Sequence, residues 1–211
     1  DVQLPTDDPL PLAVTDLRPV ARETRGDAMW LRILDIPAAL TLRGYRGDLD
    51  VVITSDPDPL EPVVYMPLFA YELVLAVSSQ GALDGTDRIR PEDLADQVLI
   101  TYPVDRARLD VYTAFLDPAG VEPAAVRTAE LTPMIVQLVA SGRGVAALPS
   151  WALDEYRNLP GLSIRRLGTG IWRTLQAGVR VEDMETAYIQ AFLEQARRTC
   201  FETLPGIRAP G

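Results

Sequence analysis

Residues 130–151 read ELTPMIVQLVASGRGVAALPSW, and their reading decides the fold class. Thr132 suits an N-cap and Pro133 the first helical position, while Ile135, Leu138 and Val139 recur at the three-and-four spacing of a buried helical face. Gly142 supplies a left-handed C-cap. Gly144 then lets the chain turn into Val145 to Leu148, a run short and apolar enough for a strand covered on both faces. A helix feeding a parallel strand belongs to an open α/β sheet, and in such sheets ligands collect at the carboxyl ends of strands. Pro149 and Ser150 stand at such an end.

Working outward, 211 residues suffice for one large domain or two small ones, with 47% hydrophobic and 24% charged residues as in ordinary globular chains. The 18 prolines are spread along the chain and mostly mark element ends. Net charge is −10, so the chain itself should repel nucleic acid and anionic membranes. If it serves DNA, another segment makes the contact. A single cysteine, Cys200, excludes an internal disulfide and every cysteine-clustered metal site. No run of about 18 apolar residues predicts a membrane span, and no basic-then-apolar leader is visible. Histidine and lysine are both absent, all 20 basic residues being arginine. That removes histidine-based nucleophile pairs, HExxH zinc sites, Schiff-base lysines and P-loop lysines, so the expectation is a binding protein rather than an enzyme, without metal or cofactor.

Along the chain, strands are predicted at Leu10 to Val14 and near Leu31 to Ile36, with a helical segment between them. A short helix follows from Pro37 to Leu42, and Gly47-Asp48-Leu49-Asp50 turns into a buried strand through Ile53. Further strands are expected at Val64 to Leu68, Leu73 to Val77, Val98 to Thr101, Leu162 to Leu167 and Trp172 to Val179. Helices are expected at Leu109 to Leu116, Trp151 to Tyr156 and Thr186 to Cys200, the last with Tyr188, Ile189, Phe192, Leu193 and Ala196 inward. Residues 80–172 read as a complete α/β unit, which two strands crossing between subdomains would explain.

The blocks PLFAYELVLAVSS, PEDLADQVLITYP, DPAGVEP and LVASGRGVAALP, in that order, resemble the effector-binding domain of LysR-type transcriptional regulators. LDVVITSD, LITYPVDRARLDV and the stretch from Ala196 through Leu204-Pro205 look most like the methionine-pathway activator branch, MetR. The resemblance covers about Gly47 to Thr203. It implies an α/β fold of two Rossmann-like lobes joined by two crossover strands, the type 2 periplasmic-binding-protein-like fold. Residues 1–79 with 173–211 would form one lobe and 80–172 the other. It further implies a small-molecule effector, homocysteine in that branch, homodimers or tetramers, and a cytoplasmic regulator of methionine genes. Such a regulator reaches DNA only through an N-terminal winged helix-turn-helix that is expected to be missing from this chain. Where the branch carries a Cys/His-containing loop, this chain has Thr15 and Asp16. The rival expectation is a free-standing solute-binding protein of the transporter type, which shares the two-lobe architecture.

The candidate effector contacts each have a plainer reading. Thr54 and Ser55 follow a strand end, where hydroxyls and backbone N–H groups can hold a carboxylate, or they form an ordinary hydroxyl-capped turn. Thr15 and Asp16 occupy the matching end of the first predicted strand. Thr132 offers a hydroxyl at a helix start, or is simply a cap. Tyr102, Arg106 and Arg108 follow a buried strand, and arginine matches a carboxylate bidentately. Among Asp105 and Asp110, though, they could equally be a salt-bridged helix start. Pro149, Ser150 and Trp151 could wall a cleft or pack a lobe.

Overall fold

The computed structural model describes residues 32–33, 50–57 and 62–211. The predicted elements over residues 10–31 and 37–42, the turn at Asp48, and Thr15 and Asp16 lie outside the described residues. The strands are β1 (Arg32–Ile33), β2 (Val51–Thr54), β3 (Val63–Ser78), β4 (Arg88–Ile89), β5 (Val98–Thr101), β6 (Ala125–Thr128), β7 (Ala146–Pro149) and β8 (Leu162–Arg180). Among the described residues the α-helices are α1 (Thr132–Ala140) and α2 (Ala187–Thr203).

β3 and β8 carry the architecture. They hold 16 and 19 residues, and at about 3.3 Å per residue each runs roughly 50 Å or more, farther than one lobe needs. They pair antiparallel from Val63↔Arg180 to Ser78↔Leu162, with irregularities between Pro67 and Phe69 and between Leu73 and Val74. The predicted strand pairs 64–68 with 73–77, and 162–167 with 172–179, are therefore two continuous crossing strands. The main sheet has the order β1-β2-β8-β3-β7, with β4 beside β8; β5 and β6 form a separate parallel pair.

The cores follow the strand period of two. Leu73, Leu75 and Val77 project into one cluster with Ile89, Leu94, Leu99, Tyr112 and Leu116. Their neighbours Val74 and Ala76 project into a second with Ile135, Val136, Val139, Leu148 and Leu153. Toward the other end of β3, Phe69 and Tyr71 join Val51, Ile53, Ala177, Val179 and the α2 residues Ile189, Phe192 and Leu193 in a third.

Several expectations need correcting. β7 pairs antiparallel with β3 rather than parallel, and only Val145 makes a parallel bridge, to Leu99. Thr132 is the first residue of α1 and not its cap, which is the extended Leu131, and Pro133 sits one position further in. The predicted stop is present: Gly142 has φ 70°, its N–H reaches the Val139 carbonyl, and Arg143 N–H reaches that of Leu138. The helix expected over 109–116 is helical from Asp110, but its turn Tyr112–Leu116 is a π-helix continuing into a 3₁₀ turn at Asp117–Ala119. Ser150–Tyr156 is likewise 3₁₀. Tyr188 faces outward, 42% exposed, its hydroxyl directed at Asp50. β4 and β6 were not predicted; all of β6 is exposed, so no alternation marks it.

Candidate functional site

A cavity of about 380 Å³ opens where the carboxyl ends of β2 and β5 meet the crossing strand β8. Past β2 the chain contributes Ser55 and Asp56, and past β5 Tyr102 and Val104. Ala107, Arg108, Leu109, Asp110 and Thr113 form a further wall, and Arg173 reaches in from β8. Three segments distant in sequence thus converge, as open α/β sheets arrange their ligand crevices.

The walls carry two ion pairs. Arg108 donates from Nη2 and Nε to the Asp56 carboxylate at 2.8 and 3.2 Å, joining the segment after β5 to the one after β2. Arg173 meets Asp110 at 2.7 Å, and the hydrogen bond to that carboxylate pushes the guanidinium's pKa upward, keeping it charged. Behind the wall, the Tyr102 phenol and the buried Thr132 hydroxyl share a hydrogen bond of 2.7 Å. The start of α1 is therefore tied to a cavity residue.

Of the sequence candidates, Ser55, Tyr102 and Arg108 line this cavity. Thr54 is buried beneath it, its hydroxyl accepting from the Asp56 N–H at 3.0 Å, which is the plainer turn reading. Thr132 stands one hydrogen bond away. Arg106 is not among the lining residues: it donates to Glu122 at 2.8 and 2.7 Å, also pairs with Asp117, and lies 4.0 Å over the Tyr112 ring. The same guanidinium holds the Glu122 carboxyl below its ordinary pKa. Pro149 pairs with Leu73 within the sheet, and Ser150 opens the 3₁₀ segment with its hydroxyl buried. Trp151 packs edge-on against Tyr71, 6.4 Å between ring centres, which is the lobe-packing reading.

Sequence reasoning missed Asp56 and Arg173 as partners, and it set Asp110 beside Arg106 and Arg108 rather than Arg173. Asp56 could have been found by asking which carboxylates the arginines would meet. Arg173 gives no local signal, because only the long β3–β8 register brings it to the crevice. Among the described residues no group of three or more His, Cys, Asp or Glu side chains could hold a metal, and no helix is long and apolar enough to cross a membrane.

Residues 38–201 match the family model described as the LysR substrate binding domain. The chain is 38% identical over 164 residues to the HTH-type transcriptional regulator MetR of Escherichia coli strain K12, covering 78% of this chain and 51% of that one. It therefore spans about half the length of this relative. The MetR of Haemophilus influenzae is 31% identical over 229 residues, covering 94% of this chain and 74% of that one. Among solved structures, the regulatory domain of MetR from N. meningitidis superposes with a TM-score of 0.73 at 32% identity, covering 82% of this chain and 81% of that one.

Proposed function

The chain belongs to the LysR substrate-binding domain family, as the MetR-like effector-binding part of a LysR-type transcriptional regulator, and from that premise we propose that its cavity senses homocysteine. The observation that carries this reading is the pairing of Arg108 with Asp56 and of Arg173 with Asp110 on the walls of one cavity. An amino acid brings a carboxylate and an ammonium together. It can insert between an arginine and an aspartate, bond to both, and leave neither charge unpaired. Val104 and Leu109 offer an apolar side for a thiol-bearing stem. The volume lies at the small end of the roughly 300–1,000 Å³ usual for ligand pockets.

In this reading Ser55, Tyr102 and Arg108 contact the effector, with Thr132 holding Tyr102 in place. The described residues up to 79 with 173–211 form one lobe and 80–172 the other, and the Arg108–Asp56 bond spans the cleft between them. Effector binding favours one closure of the lobes. Only a difference in affinity between closures can shift that balance. The altered geometry passes through a homodimer or tetramer to a DNA-binding segment elsewhere in the regulator.

The test is calorimetric titration of the chain with homocysteine, methionine and cysteine, alongside its mass in solution. Homocysteine is expected to bind a dimer most tightly. Arg108→Ala should weaken binding by about tenfold or more, the scale of a lost charge-assisted bond. Arg106→Ala, outside the cavity, should leave it unchanged. Equal losses in the two variants, or no binding by the intact chain, would sink the assignment.

A further inference from the structure

Immediately after α2 the chain turns at Pro205-Gly206, Gly206 taking φ 75°, and runs back over the crossing strands. Arg208 forms an antiparallel bridge with Ala70 of β3: Ala70 N–H donates to the Arg208 carbonyl at 2.8 Å, and Arg208 N–H to the Ala70 carbonyl at 2.9 Å. Ala70 is only 4% exposed, so both backbone groups would otherwise be buried without partners. β7 covers the same edge of β3 only over Leu73–Ala76, leaving this position to Arg208. The Arg208 guanidinium then lies 3.6 Å above the ring of Trp172 on β8, while Leu204 and Ile207 pack against the third core. One short segment therefore grips both crossing strands. It does so between the two irregularities of their pairing, at Pro67/Phe69 and Leu73/Val74.

Trp172 is followed by Arg173, which lines the cavity. Successive strand residues face opposite ways, so the strapped side and the effector side of β8 are adjacent residues on one rigid element. We propose that Leu204–Arg208 is a strap that holds β3 and β8 at one crossing angle and thereby sets the cavity's affinity for its effector. The coupling to affinity rests on the effector reading above; the strap itself does not. In the structure Arg108 spans the cavity to Asp56, the two groups between which the effector inserts, and the crossing angle fixes where Arg173 stands opposite them. Releasing the strap lets the strands vary that angle, blurs the spacing of the three groups and weakens binding.

The experiment compares the intact chain with a variant ending at Gly206 and with Arg208→Ala, a milder change that keeps the backbone bridge. Hydrogen–deuterium exchange is read at Phe69, Tyr71, Arg173 and Leu175, amides of the crossing strands outside the strap, without ligand. In the shortened variant they should exchange about tenfold faster or more, as a locally weakened unit does, with β5 and α1 unchanged. Arg208→Ala should fall between. Homocysteine affinity in the shortened variant should drop about fivefold, the lower end of usual site-to-site coupling. Unchanged exchange in both variants overturns the strap, and faster exchange with unchanged affinity overturns its coupling to the cavity. If the intact chain binds none of the three amino acids, the effector reading fails while the exchange comparison still decides the strap.

Discussion

Gly142 and Gly144 stand two residues apart between α1 and β7, and alanine at each tests a different requirement. At Gly142, φ is 70° and a Cβ would meet nothing within 4 Å, so the cost is the left-handed conformation alone, about 1 kcal/mol. At Gly144 a Cβ would stand 2.4 Å from the Val98 carbonyl oxygen, with Ile100 carbons at 3.0 and 3.1 Å. β5 cannot yield there without losing its bonds to Val145, so Gly144→Ala should cost about 2–4 kcal/mol. Urea denaturation of both variants checks the ordering, and equal losses would mean that close approach to β5 is not what demands glycine at 144. At the same scale, Ser55, Tyr102 and Arg108 were legible as residues of the cavity wall because hydroxyls and guanidinium groups after buried strands are visible in sequence. Arg106 shows the limit: its type and spacing match those of Arg108, and only the positions of Asp117 and Glu122 separate the two.

Elements were legible where local pattern fixes them and illegible where a distant partner does. α1, α2 and β5 follow from periodicity and their ends, and Ile189, Phe192 and Leu193 point inward on α2 as their spacing requires. The direction of β7 does not follow, since an apolar run reads the same in parallel and antiparallel pairs. β6 sits wholly exposed, held by its ladder to β5 rather than by burial. On α2, Cys200 packs against the third core, and burial pushes its thiol pKa above the ordinary value. The sign follows from the neutral form being favoured in the fold: its stabilising contribution is complete below the unfolded thiol pKa and is lost as pH rises through the higher folded value. A thiol-specific reagent at about pH 8 should therefore label Cys200 several-fold more slowly in the folded chain than in urea. Equal rates would mean that α2 does not shield the sulfur.

For the molecule as a whole, charge and partnering argue together about DNA. The chain carries 20 basic and 30 acidic residues, and many described arginines already serve carboxylates within the fold. Arg90 holds Asp93, Arg106 holds Asp117 and Glu122, and Arg165 holds Asp84. Arg108, Arg166 and Arg173 likewise meet Asp56, Glu72 and Asp110. A phosphate backbone would have to break such pairs and approach a surface of net negative charge, which forfeits the counterion release that drives non-specific binding. Under the proposed effector reading, contact with DNA would then fall to a separate basic segment. In a mobility-shift experiment at about 50 mM salt, where non-specific contacts are strongest, the chain alone should not retard duplex DNA at about 10 μM, with or without homocysteine. A shift that fades with added salt would reveal a basic face hidden by the net charge, and would place DNA contact within these residues instead of beyond them.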